Sequence, residues 1–143
     1  LKVDTTRIFK TYTKMEDNVF VLKMFPGINQ ATIHHLFAAP NLKGLILETY
    51  GSGNLTTETW FLKALKKLID KDIHIIHITQ CHGGSVEMGN YETSVALKKM
   101  GVISGKDSTT EAAVTKLMFL LANRKQDVGF KEQFETSLRG EIS

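Results

Sequence analysis

Cysteine occurs once in the 143 residues, at Cys81, so no disulfide can close within the chain. Proline occurs twice and glycine 11 times, which excludes a collagen-like or low-complexity sequence. Charge of one sign is also scarce: 18 Lys+Arg against 15 Asp+Glu leave a formal charge of +3, with no block of five or six basic residues. Neither nucleic acid nor an anionic membrane surface is indicated as a partner. The longest uninterrupted apolar run, residues 117–122, is far short of the ~20 residues a membrane-spanning helix needs. What is present is a hydrophobic fraction of 42%. A chain of this length buries roughly 68–70% of its unfolded surface, enough for one core without disulfides or a structural metal. The chain opens on Leu1, not Met, and stays polar over residues 2–18, which reads as a piece cut from something longer.

Four β-type runs recur, each followed by a segment of helical periodicity. The expected strands are 19–25, stopped by Pro26 and Gly27, then 44–49, 73–79 and 102–103. The expected helices are 30–38, 57–71, 91–100, 109–122 and 130–138. The second of these is the clearest, with Trp60, Phe61, Ala64, Leu65, Leu68 and Ile69 on one face and Lys63, Lys66, Lys67 and Asp70 on the other. Ser108 and Glu111 are spaced for a capping box. Strict alternation predicts an α/β three-layer sandwich with a small, mostly parallel four-stranded sheet, whose ligands approach loops at the carboxyl ends of the strands.

Those loops hold no complete catalytic set. Gly51 and Gly53 lie between a strand and a helix, but a dinucleotide fingerprint needs a third glycine where Thr56 stands, and a hydrolase nucleophile elbow needs glycine where Tyr50 stands. Cys81 and His82 are adjacent, so on extended backbone they point apart, and no further ligands are spaced for zinc. A lone cysteine is expected to be a small buried side chain. His74 and His77 differ by an odd number on a strand and face opposite sides, while His34 and His35 diverge on a helix.

The residues at these loops resemble the C-terminal domain of bacterial type I L-asparaginases. The likeness is carried by Phe25, Pro26, Gly27 and Ile28; by the run from Leu42 through Glu48 to Gly51, Ser52, Gly53 and Asn54; by Thr79, Gln80 and Cys81 with Gly84, Val86 and Tyr91; and by Gly105, Lys106 and Asp107, then Glu111 and Lys116, and the closing residues 138–142. It implies that residues 1–18 are a linker from a missing N-terminal domain and residues 19–143 the C-terminal domain. It implies that the intact enzyme hydrolyses L-asparagine to L-aspartate and ammonia with a threonine nucleophile from the N-terminal domain, without metal or organic cofactor. No catalytic residue lies in this chain, and the isolated domain is expected to be inactive.

By the same resemblance, Asn54 reaches across a homodimer or tetramer to a neighbouring subunit's substrate. Cys81 matches a cysteine at an allosteric asparagine site, whose arginine is replaced here by Glu48. A cytoplasmic location is implied. The alternatives are the asparaginase-like subunit of a tRNA amidotransferase, or a non-catalytic ligand-binding α/β module.

Overall fold

The computed structural model describes residues 10–51, 55–56, 58–81, 84–86 and 92–142, excluding the side chains of residues 92–94. The first strand, β1 (Val19–Lys23), gives way to the turn at Pro26 and Gly27, and the chain re-enters as helix α1 (Gln30–Phe37). Asn29 caps that helix, its side chain accepting the N–H of Thr32 at 2.9 Å. Strand β2 (Gly44–Thr49) follows, buried at every position as expected for a strand covered on both faces. Helix α2 (Thr59–Ile69) buries Phe61, Ala64, Leu65 and Leu68, the face its periodicity predicted. Strand β3 (His74–Thr79) leads through α3 (Glu92–Met100) to the two-residue strand β4 (Ile103–Ser104), then to α4 (Thr110–Asn123) and α5 (Phe130–Glu135). Gly101, with φ +100°, supplies the left-handed residue that ends α3.

Among the described residues the strands form one sheet in the order β1-β2-β3-β4, and every neighbouring pair is parallel. Alternation along the strands divides the core in two. Leu22, Leu45, Leu47 and Ile75 face Ile33, Phe37, Phe61, Leu65 and Leu97 of α1, α2 and α3. Ile46, Ile76, Ile78 and Ile103 face Ala113, Leu117 and Leu120 of α4 and Phe130 and Phe134 of α5. The expected three-layer α/β sandwich is therefore the fold. Two glycines set the spacing of its layers. A Cβ on Gly44 would lie 2.8 Å from Leu117, where α4 crosses β2, and a Cβ on Gly105 would overlap Ile78.

Two local expectations are corrected. The N-cap of α4 is Thr109, whose hydroxyl accepts the N–H of Ala112 at 3.2 Å, and not Ser108. Ser108 is buried and its hydroxyl donates to the carbonyl of Glu141 at 3.4 Å, so the capping box does not form. Helix α5 stops at Glu135 instead of 138, because Lys116 takes the Thr136 carbonyl at 2.7 Å and the Glu141 carboxylate takes the N–H groups of Leu138 and Arg139. At the other end, residues 10–18 lie against α4. Glu16 N–H donates to Met118 O at 3.0 Å, Asn123 Nδ2 to Lys14 O at 2.8 Å, and the rings of Tyr12 and Phe119 meet edge-on at 5.3 Å.

Candidate functional site

In a parallel sheet the carboxyl ends of the strands collect the loops after each strand and the amino ends of the helices that follow. Here that edge carries a group of polar side chains within otherwise apolar strands. On the α1 to α3 side, Thr49 Oγ1 and His77 Nε2 lie 2.7 Å apart, and both residues are fully buried. Among the described residues, His77 Nδ1 has no hydrogen-bond partner. Loss of water around the ring, with no compensating charge, lowers the His77 pKa to about 4, so the imidazole is neutral at physiological pH.

Two residues beyond His77 on β3, the Thr79 hydroxyl donates to the carbonyl of Gly51 and accepts the N–H of Cys81 at 3.0 Å. Gln80 N–H donates to Thr49 O at 2.9 Å. Its side-chain amide donates to Met24 O at 2.7 Å and to Glu48 O at 3.1 Å. On the α4 side, Glu48 is buried, with Oε1 accepting from Thr110 Oγ1 at 3.2 Å and lying 3.7 Å from Lys23 Nζ. That carboxylate, standing where the resemblance places an arginine, is occupied within the domain by α4 and β1.

Cys81 is exposed just beyond β3, contrary to the small buried side chain expected of a lone cysteine. Main-chain bonds hold the segment that bears it: its own N–H on Thr79, and Gly84 N–H on its carbonyl at 3.0 Å. Asn54 lies outside the described residues, as do Ser52, Gly53, His82 and Tyr91. Gly51, which leads to Asn54, has φ +48°, a conformation that favours glycine. Sequence reasoning gave Thr49, Thr79 and Gln80 no role at this edge, and weighed His77 only as half of a chelating pair with His74. The available signal was four polar residues in and just beyond two strands otherwise read as buried.

The histidine expectation holds in its geometry. His74 lies on the opposite face from His77, stacked on the Phe130 ring at 3.7 Å with an interplanar angle of 2°. A cleft of about 320 Å³ lies beside it at the amino ends of β2 and β3, lined in part by Glu16, Lys43, Lys71, Asp72, His74 and Arg124. We place the functional edge elsewhere. The C-termini of α2 and α4 end next to this cleft, and its cations complement the negative ends of the helix dipoles there. Among the described residues, no three His, Cys, Asp or Glu side chains converge to hold a metal ion, and no helix is long and apolar enough to cross a membrane.

Comparison with known proteins adds the family. L-asparaginase 1 of Escherichia coli (strain K12) is 37% identical over 123 residues, which are 86% of this chain and 36% of that protein. A 60 kDa lysophospholipase of Homo sapiens is 35% identical over 143 residues, 99% of this chain and 25% of that protein. The crystal structure of L-asparaginase I from Vibrio cholerae superposes with a TM-score of 0.82 at 34% identity, covering 96% of this chain and 41% of that one. The chain thus spans well under half the length of these relatives. The model of the glutaminase/asparaginase C-terminal domain matches residues 18–134. With that match over most of its length, and with the fold it shares with the Vibrio cholerae enzyme, the chain belongs to the glutaminase/asparaginase C-terminal domain family.

Proposed function

We propose that residues 19–143 form the C-terminal domain of an L-asparaginase, that residues 1–18 link it to an N-terminal domain, and that the intact cytoplasmic enzyme hydrolyses L-asparagine to L-aspartate and ammonia. The observation that carries this reading is similarity to L-asparaginases along nearly the whole chain, in sequence and in fold. The chemistry is acyl transfer. A threonine of the N-terminal domain attacks the side-chain amide, ammonia leaves, and water hydrolyses the acyl-threonine. Amide donors hold the tetrahedral oxyanion. This domain contributes Asn54, which acts on the substrate of a neighbouring subunit in a homodimer or tetramer.

Ammonia release from asparagine tests the reading directly. The intact protein should turn over asparagine, residues 1–143 alone should not, and Asn54→Ala should lower kcat/KM about ten-fold by removing one substrate hydrogen bond. Unchanged kcat/KM in Asn54→Ala would remove the cross-subunit role. Because the human relative carries the name of an ester hydrolase, a lysophospholipid belongs in the same assay, with no turnover expected.

Cys81 is the proposed effector residue. Its exposure just beyond β3 supports access by a small ligand. Sigmoidal asparagine kinetics that become hyperbolic in Cys81→Ser are the expected result. Hyperbolic kinetics in the parent protein would dismiss the effector site.

A further inference from the structure

The ladder between β1 and β2 ends at the pair Lys23 and Glu48, with Met24 N–H on Glu48 O at 2.9 Å as its last rung. The residues that follow β3 reach back to these ends. The Gln80 amide places its two side-chain protons on main-chain carbonyls of two different strand ends, Met24 O and Glu48 O, while its own N–H holds Thr49 O. Thr79 does the equivalent two residues beyond the end of β2, donating to Gly51 O and accepting from Cys81 N–H. Neither side chain spends its polar groups on the core. If position 79 served packing alone, valine, which has the same β-branched shape, would fill it without a buried hydroxyl to satisfy.

The tie falls at a sensitive point. Gly51 has φ +48°, open space where a Cβ would stand and a place beyond the end of β2, and the Thr79 hydroxyl holds its carbonyl. We infer that Thr79 and Gln80 are positioning residues, a brace across the three strand ends that sets the course of the chain leaving β2 as far as Gly51 and acts on activity through Asn54, three residues further along the sequence. The role of Asn54 rests on the asparaginase reading; the brace rests on the bonds just described.

The test uses the intact protein and the variants Thr79→Val, Thr79→Ser, Asn54→Ala and the double variant Thr79→Val with Asn54→Ala. Two quantities are read: amide hydrogen exchange of a peptide covering residues 50–56, and kcat/KM for asparagine. Thr79→Val should speed exchange in residues 50–56 roughly ten-fold and leave the β3 peptide protected, since a local opening is involved. It should lower kcat/KM about ten-fold, the scale expected when a contact group is displaced by a fraction of an ångström. Thr79→Ser, which keeps the hydroxyl, should restore both quantities. In the Asn54→Ala background, Thr79→Val should cost nothing more, because the two act through one contact.

Unchanged exchange in residues 50–56 overturns the brace. Full additivity of the two substitutions overturns positioning through Asn54. Parent-level kcat/KM in Asn54→Ala, with exchange still raised in Thr79→Val, defeats the cross-subunit reading and leaves the brace standing. If Thr79→Val does not fold, Gln80→Leu, which removes both amide donors at similar volume, gives the same readings with the same outcomes.

Discussion

Glu141→Ala should reduce stability in urea by about 3–5 kcal/mol, and Lys116→Met by only about 1–2 kcal/mol, although the two residues form one ion pair. The asymmetry comes from where each charge sits. The Lys116 side chain is 3% exposed, against 17% for Glu141, and their charged atoms lie 2.6 Å apart. Without Glu141, the ammonium keeps only the Thr136 carbonyl at 2.7 Å and the face of the Phe134 ring at 5.2 Å, and cannot reach water where it stands. Without Lys116, the carboxylate keeps the N–H groups of Leu138 and Arg139, at 2.9 and 2.6 Å, and lies close to solvent.

The same contacts govern the acidity of Glu141. Burial pushes its pKa up, but the Lys116 ammonium and the main-chain N–H groups outweigh burial and hold it at about 2. Its contribution is therefore complete above the ordinary value of 4.5 and disappears as pH falls through about 2. Equal losses in the two single variants would contradict this account of the pair.

Between pH 6.5 and pH 4 a separate loss of stability, about 3 kcal/mol in all, should appear and be traceable to His77. The folded protein holds this imidazole neutral with a pKa of about 4, whereas the unfolded chain binds a proton at about 6.5. Across that window the unfolded state carries more protons, so stability rises with pH and levels off above 6.5. Burial also depresses His74, with Arg124 acting in the same direction against Asp72, so His74 adds a second contribution of the same sign. His77→Gln separates the two: chemical denaturation of this variant at intervals from pH 4 to pH 7 should show a much flatter profile than the parent. A parent-like slope in His77→Gln would assign the window to other groups.

How far the sequence discloses this molecule depends on which forces set each feature. The strand β2 and the buried stripe of α2 were legible because their determinants are local: a continuous apolar run, and a 3.6-residue period across Phe61, Ala64, Leu65 and Leu68. The start of α4 was not. Ser108 and Thr109 are adjacent and equally able to cap, and the choice is made by the Glu141 carbonyl, which engages Ser108 from 33 residues away. The end of α5 was misplaced for a related reason, since Lys116 and Glu141 capture backbone groups that a longer helix would need. At the candidate site, the resemblance supplied Asn54 and Cys81, but Gln80 bridging Met24 and Glu48 is a contact between three separate strand ends that no local pattern encodes.

The spatial order of the strands is the order in which they are synthesised. Each strand can pair, as it emerges, with the one just completed, so the sheet and its covering of α1 to α3 grow by steps of short sequence separation. The opposite face follows a different schedule. Ile46, Ile76 and Ile78 stay bare until α4 and α5 have been made, and the Lys116 and Glu141 pair closes only when residue 141 arrives. A nascent chain paused near Ser104 therefore presents a half-dressed sheet, with one side finished and an isoleucine-rich side open to water and to neighbouring chains.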